Sequence, residues 1–227
     1  MTAQIVPLPE TALHQHAASR VRQMLVEGVI APGAKLNERE LSDALKISRT
    51  PLREAIKMLA AEGLVELLPN RGAVALALSE ADVVDTFEVM AGLEALSGEL
   101  AAQRISEAEL AEIRAQHFEM LAAWTRRDLS SYYRLNAAIH RAINEAARNP
   151  VLRNTYNQVN ARLQALRFRS NQDEEKWGRA VQEHEQMIDA LARRDAPAMR
   201  AVLVEHLNHK RDAVLALLRA TPSHAKA

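Results

Sequence analysis

The chain has no cysteine, so neither a disulfide framework nor thiolate chemistry is available to it. No apolar stretch is long enough to span a bilayer, and the opening Met1-Thr2-Ala3-Gln4-Ile5-Val6-Pro7 carries neither a charged leader nor an apolar run. A soluble, cytoplasmic protein without a membrane partner is expected. Net charge is lacking too: 29 basic residues balance 29 acidic ones, so any attraction for nucleic acid must come from local patches such as Lys46, Arg49, Arg53 and Lys57. Gly-rich phosphate loops, a nucleophile elbow and an H-E-x-x-H signature are all missing. Aromatics are few, and Ala, Leu, Arg and Glu recur at helical spacing. With 48% apolar residues, the composition points to a mostly α protein with a substantial core.

What is present is organised around Ser48-Arg49-Thr50-Pro51-Leu52-Arg53-Glu54-Ala55-Ile56-Lys57-Met58-Leu59. Ser48 reads as an N-cap, and Pro51 is tolerated in a first turn. Leu52, Ala55, Ile56 and Leu59 form a buried stripe, while Arg49 and Arg53 share another face near the leading end. Such a helix can enter a DNA major groove, where a guanidinium grips guanine or phosphate; taken alone, it could equally be an ordinary surface helix. Its neighbours decide the matter. Asn37-Glu38-Arg39-Glu40 reads as a capping box opening a short helix through Leu41, Ala44 and Leu45. Lys46-Ile47 is then the tight turn of a helix-turn-helix. Upstream, Leu13, Ala17, Val21, Met24, Leu25 and Val29 mark a first helix, stopped by Gly28 and Ala31-Pro32-Gly33. Downstream, Leu64 to Leu68 and Ala73 to Leu76 flank Pro69-Asn70-Arg71-Gly72, a β-hairpin with Arg71 and the permissive Gly72 at its tip. A loop of that kind suits a minor groove, or is simply a solubilising turn.

From Ser79 onward the pattern is continuous amphipathic helix. Ser79-Glu80-Ala81-Asp82 and Ser106-Glu107-Ala108-Glu109 are capping boxes, for helices reaching about Arg104 and Arg127. Further helices are expected over Leu129 to Ala147, Val151 to Arg169, Asp173 to Arg193 and Ala196 to Arg219. Six helices with short connections make an antiparallel bundle. The expected division is a loose lead-in over 1–10, a winged helix-turn-helix over 11–77, an all-α bundle over 78–220 and a loose tail over 221–227.

Within the bundle, three helices each offer an inward histidine. His140 follows Asn136 by one turn, His184 sits in the stripe Val181, Ile188 and Leu191, and His206 follows Met199, Val202 and Leu203. A single histidine so placed is ordinarily a hydrogen-bonded core residue. Three desolvated imidazoles are costly unless they converge on partners or on a cation, and neutral imidazole suits a divalent ion such as Zn or Ni. His209 is expected to be partly exposed, or an outer support of His206. His117, His14 and His16 are read as surface residues, and Trp124 and Trp177 as packing residues.

Pro32-Gly33, Leu36, Glu38-Arg39, Leu41, Ser48 to Ala55, Glu62 to Val65 and Asn70-Arg71-Gly72 together resemble the winged helix-turn-helix of the GntR family of bacterial transcription regulators. The resemblance implies DNA contacts by Arg39, Arg49 and Arg53, a phosphate contact by Thr50 and a wing tip at Gly72. The DNA-binding set becomes Arg39, Ser48, Arg49, Thr50, Arg53, Arg71 and Gly72. The remainder resembles the FCD effector domain of the FadR subfamily, whose ligand motif is matched by Asn136, His140, His184 and His206. Two positions depart from the pattern. Asn136 stands where many members have Asp, which removes a charge from the metal shell. Met90 stands where the family often has an Arg that holds an effector carboxylate, leaving the metal plus another cation such as Arg162 as the anchor.

The reading that follows is a metabolite-responsive regulator, expected to be a repressor, that binds a palindromic DNA operator as a homodimer. A small-molecule effector, expected to be a carboxylate, would bind at a metal-assisted site in the bundle. The alternatives are a metal-dependent enzyme using the histidine site, which lacks an identifiable general base, and a helical adaptor without ligand.

Overall fold

The computed structural model describes the backbone of residues 10–170 and 174–220, and side chains over 13–168 and 177–220. The expected lead-in before residue 10, the start of a helix at Asp173 and the tail from Thr221 lie outside the described residues. The chain divides into two compact units between Leu78 and Ser79.

The first unit runs α1 (Glu10–Val26), β1 (Lys35–Leu36), α2 (Glu38–Leu45), α3 (Arg49–Ala61), β2 (Val65–Leu68) and β3 (Gly72–Ala75). Asn37 caps α2, accepting from the amides of Arg39 and Glu40. Glu40 returns the bond to the Asn37 side-chain amide at 2.6 Å. Lys46 ends α2 in the left-handed conformation (φ 54°), which turns the chain sharply into α3. Ser48 has N-cap backbone geometry but its hydroxyl makes no capping bond. Leu52, Ala55, Ile56 and Leu59 of α3 pack against Ala17, Val21 and Leu25 of α1 in the buried core. Arg22 clamps Glu62, just past the end of α3, with bonds of 2.7–3.0 Å.

The hairpin has the expected antiparallel pairing, Val65 with Ala75 through Leu68 with Gly72. A third strand, which periodicity did not reveal, completes the sheet: β1 pairs with β3 through Lys35↔Val74 and Leu36↔Ala73, giving the order β1-β3-β2. Two residues carry no strand pattern of their own, and they become a strand only because β3 offers them a free edge.

The second unit is α4 (Glu80–Arg104), α5 (Glu107–Thr125), α6 (Leu129–Ala146), α7 (Pro150–Ser170), α8 (Glu174–Ala192) and α9 (Ala196–Ala220). Both capping boxes form, Ser79 with Asp82 and Ser106 with Glu109. Left-handed Arg127, Arg148 and Arg194 close α5, α6 and α8. Helix α4 lies along α9 with Gly98 at the contact, where an added Cβ would run into Leu203 and Met199. This close approach places the buried face of α4 opposite the helix that carries His206. Among the described residues no helix is long and apolar enough to cross a membrane.

Candidate functional site

In the first unit the expected nucleic-acid side chains lie on the surface. Arg39, Ser48, Arg49, Thr50, Arg53, Arg71 and Gly72 are all exposed. Arg49, Arg53 and Lys57 follow one another at single-turn spacing along the outer face of α3. That face is partly neutralised: Arg53 Nε donates to Glu38 Oε2 at 2.8 Å, and Lys57 pairs with Glu54 at 2.8 Å. Gly72 (φ 87°) and Asn70 (φ 57°) form the hairpin tip and hold Arg71 between them. A positive φ at both positions explains why Asn and Gly flank the arginine.

In the second unit His140 of α6, His184 of α8 and His206 of α9 converge. Their ring centroids stand 5.1, 5.1 and 5.3 Å apart, close to an equilateral triangle. One ligand atom from each lies within 4.8 Å of the others, and the rings are 4%, 0% and 1% exposed. Asn136 is buried one turn before His140 on the same helix.

Two of the three imidazoles are held from behind by carboxylates. His140 Nδ1 lies 2.8 Å from Glu94 Oε2, and His206 Nδ1 lies 2.6 Å from Glu183 Oε2. Each Nδ1 then carries the proton and donates it, which leaves the Nε2 lone pair for the cluster. Nε2 of His140 and of His206, and both nitrogens of His184, are buried with no hydrogen-bond partner. Orphaned acceptors turned toward one another are costly in a core and are what a cation would satisfy. The donor set therefore fits a divalent metal: three neutral imidazoles of the kind Zn or Ni binds, with further positions for oxygen donors.

The electrostatics agree. Burial, then the neighbouring imidazoles His140 and His206, hold the His184 pKa well below its usual value. Burial likewise depresses His206, to about 4, although its bond to Glu183 pulls the other way. Both rings stay neutral near pH 7, the form that ligates. For Glu94, burial alone would raise the pKa, but the bonded His140 and the nearby Arg167 outweigh it and hold the carboxyl at about 2.

Four participants were not anticipated. Glu94 follows Phe87 and Met90 along the buried face of α4, where a carboxylate should itself have signalled a partner. Arg167 is 4% exposed on α7, with NH2 3.6 Å from Glu94 Oε1 and NH1 donating to Asn160 at 2.8 Å. Glu183 serves two rings, because its Oε1 lies 2.6 Å from Nδ1 of His209. His209 is thus both things expected of it, partly exposed and an outer support of His206. The fourth is His117, expected at the surface but buried at 5%, since Leu110, Ile113, His117 and Met120 form the inner stripe of α5.

Three further expectations need correction or refinement. Arg162 is exposed and acts on Asp82 near the start of α4, whereas the guanidinium buried beside the cluster is Arg167. Trp177 packs on Tyr132 at 4.8 Å, but Trp124 is 37% exposed, because it lies at the outer edge of α5. Met90, the position of the family arginine, is fully buried on the Glu94 face of α4. His16 is exposed and His14 half-buried.

A three-stranded winged helix-turn-helix followed by a six-helix bundle with a buried histidine cluster defines a DNA-binding regulator with a sensory domain rather than an enzyme. Residues 13–74 match the profile of the bacterial regulatory proteins of the gntR family, and residues 85–209 match the FCD domain. The chain belongs to the GntR family of transcriptional regulators and carries an FCD domain, the module through which such regulators meet effector metabolites. It is similar to the HTH-type transcriptional repressor RspR of Escherichia coli (strain K12), with 25% identity over 214 residues that cover 94% of each chain. It is also similar to the Nta operon transcriptional regulator of Aminobacter aminovorans, 29% identical over 201 residues covering 86% of this chain and 91% of that one. In three dimensions it resembles E. coli McbR/YncC with a TM-score of 0.80 at 20% identity, covering 91% of this chain and 98% of the other. That likeness concerns the fold.

Proposed function

We propose that this protein is a cytoplasmic, metabolite-responsive repressor that binds a palindromic operator as a homodimer and senses a carboxylate through a divalent cation in its bundle. The observation that carries the reading is the triangle of His140, His184 and His206, with two of its rings braced by buried glutamates. Asn136, one turn from His140, would add an amide oxygen. A bound divalent ion supplies Lewis-acid attraction for an effector oxygen in an open coordination position. Glu94 and Arg167 offset one another, so the charge that draws an anion would be mainly that of the ion. Met90 then contributes apolar wall rather than a cation.

Dimerisation is supported by the size of the reading surface, since one recognition helix reaches only a few base pairs and two-fold symmetry doubles the contacts. Helix α4 also exposes an apolar line, Val89 (53%) and Leu96 (40%) two turns apart, with Gly92 and Leu93 between them. In this reading that line meets its symmetry copy.

The test is selection of bound genomic fragments, followed by fluorescence anisotropy of the recovered site with Zn-loaded and metal-free protein across a panel of small carboxylates. A two-fold symmetric site, released by one carboxylate only when the metal is present, is the expected result. A carboxylate response that is the same without metal overturns the sensing mechanism and leaves the DNA-binding assignment intact.

A further inference from the structure

The three imidazoles of the cluster are not supported alike. His140 is backed by Glu94 and His206 by Glu183, but neither ring nitrogen of His184 has a hydrogen-bond partner, although the ring is fully buried. The polar group beside it is another orphan. His117 of α5 lies with its ring nearly parallel to that of His184, 13° between planes and 6.3 Å between centroids, and both its nitrogens are buried without a hydrogen-bond partner. On the far side, Glu185 Oε1 is 4.0 Å from His117 Nε2, and the Glu185 side chain is 58% exposed.

A neutral imidazole that ligates through one nitrogen carries a proton on the other, and a buried N–H left unbonded costs about 1–3 kcal/mol. For His140 and His206 a carboxylate takes that proton's bond. For His184 the acceptor within reach is His117, since a neutral imidazole has one accepting nitrogen and one N–H. If His117 accepts from His184, its own N–H is left for Glu185. Four orphaned nitrogens in two adjacent rings are then satisfied by one ordered chain, from the solvent-exposed carboxylate through two imidazoles to the cation. An apolar residue at 117 would have filled the α5 stripe with no such requirement.

We propose that His117 is the positioning residue of His184: it accepts the hydrogen bond from the ring nitrogen that faces away from the metal, and so sets the orientation and tautomer of the third ligand. The inference rests on the metal reading of the cluster. It also makes the site asymmetric. A neutral imidazole is a weaker acceptor than a carboxylate, so His184 is the least basic of the three ligands and the one that lets go first.

The experiment compares wild type, His117→Leu, His117→Gln and His184→Ala by Zn competition against a chromophoric chelator, by the visible spectrum of the Co-loaded protein and by melting of the metal-free form. His117→Leu is expected to weaken Zn binding about 10-fold and to shift the Co band, while metal-free melting stays at or above that of wild type. His117→Gln keeps an acceptor and should recover most of the affinity. His184→Ala should lose far more. Wild-type affinity and an unshifted Co band in His117→Leu would overturn the proposal. So would equal losses in the Leu and Gln variants, which would mean a packing role, or a loss as deep as that of His184→Ala, which would make His117 a ligand. Failure of the underlying metal reading shows separately, as wild type that takes up no Zn, and removes the role of His117 with it.

Discussion

Glu94 and His140 meet inside the bundle, carboxylate Oε2 to ring Nδ1 at 2.8 Å, with both side chains only 3% exposed. The bond joins α4 to α6, fixes which nitrogen of His140 faces the cluster, and gives the buried Arg167 its countercharge. Glu94→Gln keeps an acceptor but removes the charge. Metal affinity should fall about 10-fold through the weakened support of His140. The metal-free protein should also lose about 3–5 kcal/mol, because a buried guanidinium is left without its carboxylate. Chelator competition and denaturant unfolding measure the two effects separately. An unchanged unfolding midpoint would show that Arg167 does not depend on Glu94.

Acid should destabilise the metal-free protein in two steps. An imidazole in the unfolded chain titrates near 6.5, whereas His206 is held at about 4 in the fold and His184 well below its usual value. As pH falls below about 6.5 the unfolded chain binds protons that the folded chain refuses, so stability drains down to about pH 4; above pH 6.5 these groups contribute no slope. Glu94 acts lower, because its carboxyl at about 2 contributes stability that is present above pH 4.5 and lost as pH falls toward 2. Melting temperature against pH reads both steps. A flat profile between pH 7.5 and 5 in metal-free protein contradicts the neutral histidine core.

Asn136→Asp should raise metal affinity by about 10-fold or more, because a charged oxygen replaces a neutral amide one turn from His140. The same change should make wild-type melting more sensitive to metal and less dependent on an anionic effector. Isothermal titration with Zn or Ni checks it, and equal affinities would place Asn136 outside the coordination shell.

Arg53 is engaged with Glu38 at the surface, an exposed pair worth only about 0–1 kcal/mol, so DNA can take the guanidinium from it. Glu38→Gln removes the competitor and a like charge facing phosphate, so operator affinity should rise several-fold at low salt. Arg53→Ala should cost about 1–3 kcal/mol if the side chain reads a base, and weaken all sequences alike if it holds phosphate. Anisotropy on operator and scrambled duplexes across a salt series separates the two cases.

Gly98 allows α4 and α9 to approach closely, with Met199 Cγ 2.8 Å from where a Cβ would sit and Leu203 nearer still. Gly98→Ala gains about 1 kcal/mol of helix propensity, yet should destabilise by about 1–3 kcal/mol net through overpacking. Since α9 carries His206, metal affinity should drop with it. A melting temperature above wild type would show that the Leu203 and Met199 side chains yield freely.

The helices and their ends were legible in the sequence because they are decided by neighbours three or four residues apart. Asn37, Ser79 and Ser106 announce their caps, and the stripe Leu52, Ala55, Ile56 and Leu59 announces the inner face of α3, which leaves Arg49, Arg53 and Lys57 outside. The same 3.6-residue period turned His140, His184 and His206 inward before any partner was known. Where the pattern was passed over, as at His117 in the stripe of α5, the signal was present and the residue type misled.

What only the tertiary structure decided is which inward groups meet. Periodicity states that a side chain enters the core but not the rotation or depth of the helix facing it. The pairing of Glu94 with His140 and Arg167 joins residues 46 and 73 positions away, and Glu183 reaches His206 across another 23. Strand β1 exists only because β3 lies beside it, and Arg162 and Arg167, five residues apart on α7, part company because the helix turns one outward and the other toward Glu94. Buried charge and buried imidazole are tolerated only where partners converge, and that convergence is set by the packing of α4, α6, α7, α8 and α9 against one another.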